Sequence, residues 1–385
     1  MHMATIDEMI CALARTRDNA VNELQRLKES GTKIVGAYCL FAPYELIAAA
    51  GAVPVSLCGT SEEPIAHAEK HLPRNLCPLI KSSYGYAVTG TCPYFFYSDL
   101  VVGETTCDGK KKMFELLEKI APVHVMRLPQ SNNRPEDIAY WKHEILLLRQ
   151  RLERQFGVVI TDSALREQIR QRNAQRSLCR ELYGLSRLDP PPLSGIELHR
   201  VLHGSGFAFD RPRHNAQLRA LIDAVQDAYA RGEKSAPAGR PRILITGCPI
   251  GGATEKIIRI IEKSGGTIVC YENCGGAKDR EYPVDETIDP WDALAQKYVR
   301  LACSCMSPND ARCELLSRLI DEYAADGIID VVLQACHTYS IETRRIRELV
   351  QKQKGKSYLS IETDYSQADE GQLRTRISAF LEMLH

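Results

Sequence analysis

The sequence predicts an α/β protein with two similar, doubly wound, Rossmann-like domains, each built on a parallel sheet, and a helical insertion or bridge. Two observations predict this fold class. Short apolar segments alternate with helical segments in the first and last thirds of the chain, which is typical of parallel sheets covered by helices. Between them, residues 133–236 show only helical periodicity. A chain of 385 residues is also too long for one ordinary core.

The first third contains four predicted strands. Their sequences are KIVGAYC (33–39), VPVSLCG (53–59), DLVVGETTCDG (99–109) and VHVMRLP (123–129). A helix over 43–52 that ends at Gly51 is predicted after the first strand, and the helix KKKMFELLEKI is predicted after the third. We therefore predict an N-terminal helix over 1–30 and a first α/β domain over 31–132.

The central helical stretch and the last third complete the predicted organisation. Residues 133–240 are predicted as the helical insertion, which is interrupted by the Pro cluster at 190–192 and ends in the linker SAPAGRPR. The α/β pattern then begins again, so 241–385 is predicted as the second α/β domain. Its four predicted strands are RILITG (242–247), TIVCYEN (267–273), GIIDVVLQAC (327–336) and SYLSIETD (357–364).

Charge and hydropathy argue against two classes of partner. Lys and Arg (49) balance Asp and Glu (49), so no net field would draw the chain to nucleic acid or to an anionic membrane. No apolar run approaches the roughly 20 residues of a membrane span, and the N-terminal segment lacks the apolar region of a secretory signal. We expect a cytoplasmic protein that binds neither nucleic acid nor membrane.

Fourteen cysteines are unusual in such a chain, because the cytosol keeps thiols reduced. Cys11, Cys179 and Cys313 are interpreted as small buried hydrophobic residues. Four cysteine loops recur in the same order in the two halves and follow predicted strands, where open α/β sheets bind ligands. The matched cysteines are Cys39 with Cys248, Cys58 with Cys274, Cys77 with the pair Cys303 and Cys305, and Cys107 with Cys336. This repeat predicts a metal site in a cleft between the two halves.

Thiolates at loop tips suit either zinc or an iron–sulfur cluster. Structural zinc commonly uses close pairs of ligands. The nearest pairs here are Cys270 with Cys274 and Cys303 with Cys305, and neither is spaced as in a zinc ribbon. The closely spaced ligands of bacterial ferredoxins are also absent. The residues alone leave both metals open and indicate that the chain is not a simple electron carrier.

Polar residues beside the cysteine loops are candidates for proton supply or for lining the cleft. These are Glu104, Glu272 and His337. Carboxylates could supply protons during a reduction, although helix capping is an equally good interpretation for each, and a structural role is the commoner one for the histidine. The lysines at 110–112 could offset the negative charge of a thiolate-bound cluster or form a solvated face. The turn GCPIGG (247–252) lacks the GK[ST] ending of a P-loop, so no ATP site is predicted.

At these loops the sequence resembles the 2-hydroxyacyl-CoA dehydratase and benzoyl-CoA reductase superfamily, most closely its branch of double-cubane cluster proteins. The resemblance extends over nearly the whole chain. The segments that carry it are GAYCLFAPYELIAAAGAVPVSLCG (36–59), LPRNLCPLIKSSYG (72–85), DLVVGETTCDGKKKMFE (99–115), ITGCPIGGATEK (245–256), YENCGGAK (271–278), CSCMSPND (303–310) and LQACHTYSIE (333–342).

The resemblance implies an iron–sulfur centre and a set of ligands. Three cysteines bind one [4Fe-4S] cubane in the dehydratases, and the local motifs place them at Cys77, Cys107 and Cys336. A double-cubane [8Fe-9S] centre needs about three more thiolates. The candidates for these places are Cys39, Cys274, Cys303 and Cys305, while Cys58, Cys92, Cys248 and Cys270 rank below them as neighbours.

The resemblance also implies partners and an activity. It implies a homodimer that receives single low-potential electrons from an ATP-hydrolysing activator with its own [4Fe-4S] cluster and reduces a small molecule. One alternative is a component of a 2-hydroxyacyl-CoA dehydratase that has a single [4Fe-4S] cluster and a ketyl-radical mechanism. A third interpretation is a zinc-binding or redox-sensing protein without catalytic activity. The sequence identifies neither the substrate nor the proton donor.

Overall fold

The computed structural model describes residues 4–384 and has the predicted α/β fold class. All eight predicted strands are present, and several end two or more residues before the cysteine that was predicted to close them. The cysteines therefore lie in the loops after the strands. The strands are β1 (Lys33–Ala37), β2 (Ala52–Ser56), β3 (Leu100–Glu104), β4 (Val123–Met126), β5 (Arg242–Gly247), β6 (Thr267–Tyr271), β7 (Gly327–Leu333) and β8 (Ser357–Thr363).

Seventeen α-helices accompany the strands within residues 4–384, and none of them combines the length and apolar character needed to cross a bilayer. They are α1 (Ile6–Ala14), α2 (Thr16–Glu29), α3 (Tyr44–Ala49), α4 (Ile65–Ala68), α5 (Pro78–Thr89), α6 (Pro93–Tyr97), α7 (Asp108–Leu117), α8 (Pro135–Phe156), α9 (Asp162–Gly184), α10 (Gly195–Ser205), α11 (Arg211–Ala230), α12 (Glu255–Lys263), α13 (Ala277–Arg280), α14 (Pro290–Val299), α15 (Asp310–Glu322), α16 (His337–Glu348) and α17 (Glu370–Glu382).

The segments predicted as helices are helical in the structure, although some of their first and last residues differ. The segment 1–30, predicted as one helix, contains α1 and α2 with Arg15 between them, and its first three residues lie outside the described part. The stretch from β4 to β5 holds only helical elements, as the periodicity predicts. Short 3₁₀ turns occur at Leu185–Arg187 and Gly252–Thr254, and a π-helical turn at Leu349–Gln353.

The chain divides into two compact units, each with one sheet. Within the described residues, the β1–β4 unit contains 19–175 and 282–311, and the β5–β8 unit contains 4–18, 176–281 and 312–384. Both sheets are parallel throughout, with the orders β2-β1-β3-β4 and β6-β5-β7-β8. The two sheets therefore have the same topology, which is the internal similarity that the repeated cysteine loops predict.

The core of the β1–β4 unit lies between its sheet and helices α8 and α14. The Trp141 ring, fully buried, meets Phe41 edge-on at 6.1 Å. Complete burial of a large apolar side chain contributes about 1.5–3 kcal/mol. The Tyr298 hydroxyl donates to Glu45 Oε2 at 2.6 Å and so joins α14 to α3. These contacts anchor the segment that leads on to Cys303 and Cys305.

Helices α1, α10 and α12 pack within the β5–β8 unit. A side chain at Gly204 of α10 would meet the Leu13 carbonyl oxygen at 2.2 Å, so only glycine allows α1 this close. Helix α12 buries Ile257, Ile258 and Ile261 against the sheet. This apolar stripe at helical spacing is the reason that the segment forms a helix on the sheet face.

Candidate functional site

The cysteines lie at the end of each sheet where a ligand site is expected. In both sheets the strand order reverses between the first and third strands in sequence, and open α/β sheets bind ligands beyond the carboxyl ends of the strands at such a point. The two strands that flank the reversal are each followed by a cysteine. These residues are Cys39 after β1, Cys107 after β3, Cys248 after β5 and Cys336 after β7.

The three cysteines that the resemblance assigns to one cubane are all helix N-caps. Cys77 precedes α5, Cys107 precedes α7 and Cys336 precedes α16. The backbone N–H of Lys110 donates to Cys107 Sγ at 3.5 Å. The positive end of a helix dipole stabilises a thiolate or another negative group at this position. All three sites are therefore suited to a negatively charged thiolate-bound metal centre.

Cys77 and Cys107 come together in the β1–β4 unit. A methyl group added to Gly109, two residues after Cys107, would meet side-chain atoms of Leu76 at 3.1 Å and Ile80 at 2.7 Å. The first turns of α5 and α7 are thus in direct contact, and the absence of a side chain at Gly109 allows it. The structure places the two cysteines on adjacent helix starts although α5, α6 and β3 separate them in the sequence.

Lys110 is buried among the cysteines of this unit. Its ammonium group donates to the Tyr38 carbonyl oxygen at 3.0 Å. Burial alone would lower the pKa of Lys110, but the electrostatic influence of Cys39, Cys58, Glu104 and Cys107 raises it well above its ordinary value. The lysine therefore stays protonated and supplies a fixed positive charge beside these cysteines.

The neighbouring lysines have a different role. Lys111 and Lys112 point toward solvent and pair with Asp108 and Glu115 at 3.1 and 2.7 Å. Each of the two interpretations of the segment 110–112 therefore holds for part of it. Lys110 lies beside the cysteines, and the other two lysines form a solvated face.

Cys39, Cys303 and Cys305 share a border of the hydrophobic core of the β1–β4 unit. All three are partly buried and pack against the cluster that includes Phe41 and Met306. The loop that carries the pair is fixed by the Ser307 N–H, which donates to the Gln130 carbonyl oxygen at 2.8 Å. All three are among the cysteines predicted from the sequence to supply the additional thiolates of a double-cubane centre.

In the β5–β8 unit the cysteine loops are held in unusual backbone conformations. Ala335, directly before Cys336, has φ +56°, which is uncommon for a residue with a side chain. Gly247, directly before Cys248, has φ +102°, and a side chain there would meet the Val331 carbonyl oxygen at 2.2 Å. The Leu333 N–H donates to Cys248 Sγ at 3.3 Å, which joins the two loops. Backbone strain of this kind clusters at functional sites.

A buried charge network supports the Cys274 loop. Glu272, fully buried, accepts from the Thr246 hydroxyl at 2.6 Å and pairs with Lys278 at 3.2 Å and Arg312 at 3.7 Å. Burial alone would raise the pKa of Glu272, but these partners hold it below its ordinary value. Lys278 also donates to the Tyr339 hydroxyl at 2.9 Å, which connects the segment after Cys274 to α16.

The three candidates for proton supply lie in different surroundings. Glu104 is fully buried, and neither carboxylate oxygen has a well-aligned hydrogen bond. Burial raises the pKa of Glu104 to about 8, although Lys110 and two backbone N–H groups oppose the rise. Glu272 is held as a carboxylate by its two cations, and His337 is exposed at the start of α16. Glu104 is the candidate that holds a proton near neutral pH.

The lower-ranked cysteines are mostly held as thiols. Burial raises the pKa of Cys58, Cys92 and Cys270, and the Cys58 thiol donates to the Tyr38 carbonyl oxygen at 2.9 Å. The interpretation of Cys11 as a buried hydrophobic residue is wrong, because it lies on an exposed position of the amphipathic helix α1. Cys179 is buried as predicted, whereas Cys313 is only partly buried.

Sequence reasoning missed the individual roles of Lys110 and Arg312. Both stand on the apolar stripe of their helix: Lys110 shares it with Met113, Phe114 and Leu117, and Arg312 shares it with Leu315, Leu316 and Leu319. The spacing i, i+3, i+4, i+7 is the signal that could have placed these cations inside.

Comparison with known proteins gives one family and several relatives. The model of the family "2-hydroxyglutaryl-CoA dehydratase, D-component" matches residues 39–384. The chain is 53% identical to the "Putative dehydratase subunit YjiM" of Escherichia coli (strain K12), over 93% of each chain. It is 24% identical to the (R)-phenyllactyl-CoA dehydratase beta subunit of Clostridium sporogenes over 94% of each chain. It is 22% identical to a component of the benzoyl-CoA reductase of Thauera aromatica over 88% of each chain.

Proposed function

Because the chain belongs to the 2-hydroxyglutaryl-CoA dehydratase, D-component family, we propose that it is the iron–sulfur component of an ATP-dependent reductase. It carries a double-cubane centre, receives low-potential electrons from an ATP-hydrolysing activator and reduces a small molecule. The observation that carries the proposal is the placement of cysteines beyond both sheet reversals, with a buried lysine among those of one unit.

The residues at these positions fit an iron–sulfur cluster. Thiolates are the ligands of such clusters, and seven cysteines are candidates for the six places of two cubanes. These are Cys77, Cys107, Cys336, Cys39, Cys274, Cys303 and Cys305. A thiolate-bound cluster is negatively charged, and the three helix N-termini and Lys110 offset that charge. When bound, the cluster would accept and release single electrons, and two linked cubanes could hold two.

The chain's own residues would bind the centre and supply a proton. Glu104 lies at the end of β3 and has its pKa raised by burial to about 8, so it carries a proton at neutral pH that a reduced substrate could take. Glu272 does not hold a proton in this way, because Lys278 and Arg312 lower its pKa and keep it a carboxylate. We therefore propose Glu104 as the proton donor and Glu272 as a support of the Cys274 loop.

Electrons would come from a separate protein. The turn at 247–252 is the one segment that suggested an anion-binding loop, and it lacks the lysine and hydroxyl residue of a P-loop. ATP hydrolysis is accordingly assigned to a partner, an activator with its own [4Fe-4S] cluster. A homodimer of this chain completes the proposed assembly.

A role as one subunit of a dehydratase is the second candidate function. The names of three relatives favour it: the E. coli protein is called a putative dehydratase subunit, and two others are beta subunits of (R)-phenyllactyl-CoA and lactoyl-CoA dehydratases. Such a protein would carry a single [4Fe-4S] cluster and would act with a different companion chain. Its iron content would be about half that of the double-cubane protein.

The proposed function predicts reduction that depends on ATP. Anaerobically purified protein should be brown, and its visible absorption should bleach when an activator of the dehydratase type, dithionite and ATP are added together. A non-hydrolysable ATP analogue should give no bleaching, and Cys336→Ala protein should have no absorption to bleach. Full bleaching by the activator without ATP, or a colourless anaerobic preparation, would contradict the proposal.

A further inference from the structure

A second group of metal-ligating side chains lies in the β5–β8 unit, on helices that carry none of the candidate cluster cysteines. His199 and His203 are four residues apart on α10, so they lie on the same face of the helix. Their rings are stacked, with centroids 5.5 Å apart and an interplanar angle of 12°. Glu255, the first residue of α12, faces them, and one donor atom from each of the three residues lies within 4.8 Å of the others.

The buried histidine has no hydrogen-bond partner at one ring nitrogen. His199 is 6% exposed, and its Nε2 atom makes no hydrogen bond to any residue in the described part of the chain. The nearest carboxylate oxygen, Glu255 Oε1, is 3.6 Å away, which is longer than a hydrogen bond. Leaving a buried nitrogen without a hydrogen-bond partner is destabilising, because its lost hydration has a free-energy cost. A ligand bound at this nitrogen would remove that cost.

The surrounding packing fixes both imidazole rings. His199 lies against the Tyr271 ring at 5.7 Å, and the Tyr271 hydroxyl donates to the Gly195 carbonyl oxygen at the start of α10. His203 meets the Phe207 ring edge-on at 5.6 Å. Rigid ligands lose little side-chain entropy when they bind a metal ion. Glu255 is partly buried.

We propose that His199, His203 and Glu255 bind a divalent first-row transition metal ion of the zinc class. Two imidazole nitrogens and one carboxylate oxygen are a common ligand set for zinc, and histidines four residues apart on a helix are a common way to supply two of them. Neighbouring ligand atoms of a tetrahedral zinc site are about 3.3 Å apart, and the separation of 3.6 Å between His199 and Glu255 is close to this value. Three protein ligands leave a coordination position for water.

Neighbouring charges set the expected affinity. Arg17 carries a positive charge that acts on His203. The same arginine, whose guanidinium lies over the Phe207 ring at 5.7 Å, opposes a divalent cation. Metal binding at this site is therefore expected to be weaker than it would be without Arg17.

The site can be tested by metal binding to anaerobically purified protein with its cysteine centre in place. Zn²⁺ binding is measured by equilibrium dialysis, and Co²⁺ is used as a spectroscopic probe, because cobalt bound to thiolates has a charge-transfer band that cobalt bound to nitrogen and oxygen lacks. The variants are His203→Ala and Glu255→Gln, and the matched control is His143→Ala, which removes an exposed histidine of α8.

The proposal predicts that the wild type and His143→Ala each bind one equivalent of Zn²⁺. Both site variants should bind this equivalent roughly 100-fold more weakly, because even changes to residues that only support metal ligands lower metal affinity by about 10–100-fold. The difference between the Co²⁺ spectra of the wild type and of each site variant should contain no thiolate charge-transfer band. Arg17→Gln should tighten binding by about fivefold. Equal Zn²⁺ binding by all the proteins, or a thiolate band in the difference spectrum, would overturn the proposal. Circular dichroism of Glu255→Gln, which keeps the side-chain shape, excludes unfolding as the cause.

Discussion

Replacing Cys107 with alanine is expected to abolish binding of the iron–sulfur centre. The residue is the N-cap of α7, follows the strand beside the sheet reversal and receives the Lys110 N–H at 3.5 Å. An alanine removes one of the proposed thiolate ligands, and the negative cluster loses a bond at the positive end of a helix. Iron bound per anaerobically purified chain should fall to near zero, with the brown colour lost.

Two further variants complete this experiment. Cys336→Ala should give the same loss, because Cys336 has the equivalent position at the start of α16. Cys179→Ala is the control: this cysteine is buried within α9 and does not follow a strand in the sequence, and its replacement should leave the iron content unchanged. Normal iron content in both Cys107→Ala and Cys336→Ala would refute the ligand assignment.

Replacing Lys110 with methionine is expected to lower the reduction potential of the centre. The buried ammonium group is a fixed positive charge among Cys39, Cys58 and Cys107, and it favours the reduced, more negative cluster. A unit charge about 6 Å away contributes roughly 3 kcal/mol at an effective dielectric constant of about 20. This energy corresponds to a shift of roughly 100 mV for a one-electron step. The potential is measured by anaerobic redox titration followed by electron paramagnetic resonance.

The neighbouring lysine provides a matched control for this measurement. Lys112→Met changes the same residue type two positions along the same helix, but Lys112 is exposed and paired with Glu115. Water screens such a charge, so the potential should change little. If both variants shift the potential equally, or if Lys110→Met leaves it unchanged at full iron content, the buried charge does not act on the cluster.

Much of the fold could be predicted because each strand is short, apolar and followed by a turn or helix signal. The segments RILITG and GIIDVVL were identifiable in this way, and both are fully buried central strands. The loops with Cys107 and Cys336 could be placed at strand ends for the same reason. The strand ends themselves were predicted less accurately, since β1 ends at Ala37 and leaves Cys39 outside the sheet.

The contents of the site were predictable only in part. Lys110, Lys111 and Lys112 are the same residue type, and only the position of Lys110 on the same helix face as Met113 and Phe114 indicates which lysine is buried. The pairing of Arg312 with Glu272 joins residues that are far apart in sequence, so it depends on tertiary packing. The same holds for His199 and Glu255, which the fold brings to 3.6 Å.

Iron and acid-labile sulfide per anaerobically purified chain test the central claim most directly. The proposed double-cubane centre requires about eight iron atoms and about nine sulfides per chain, because one additional sulfide links two complete [4Fe-4S] cubanes. A value of about four iron atoms would contradict it and would favour the dehydratase function with a single cubane. Zinc in place of iron in the same preparation would contradict both.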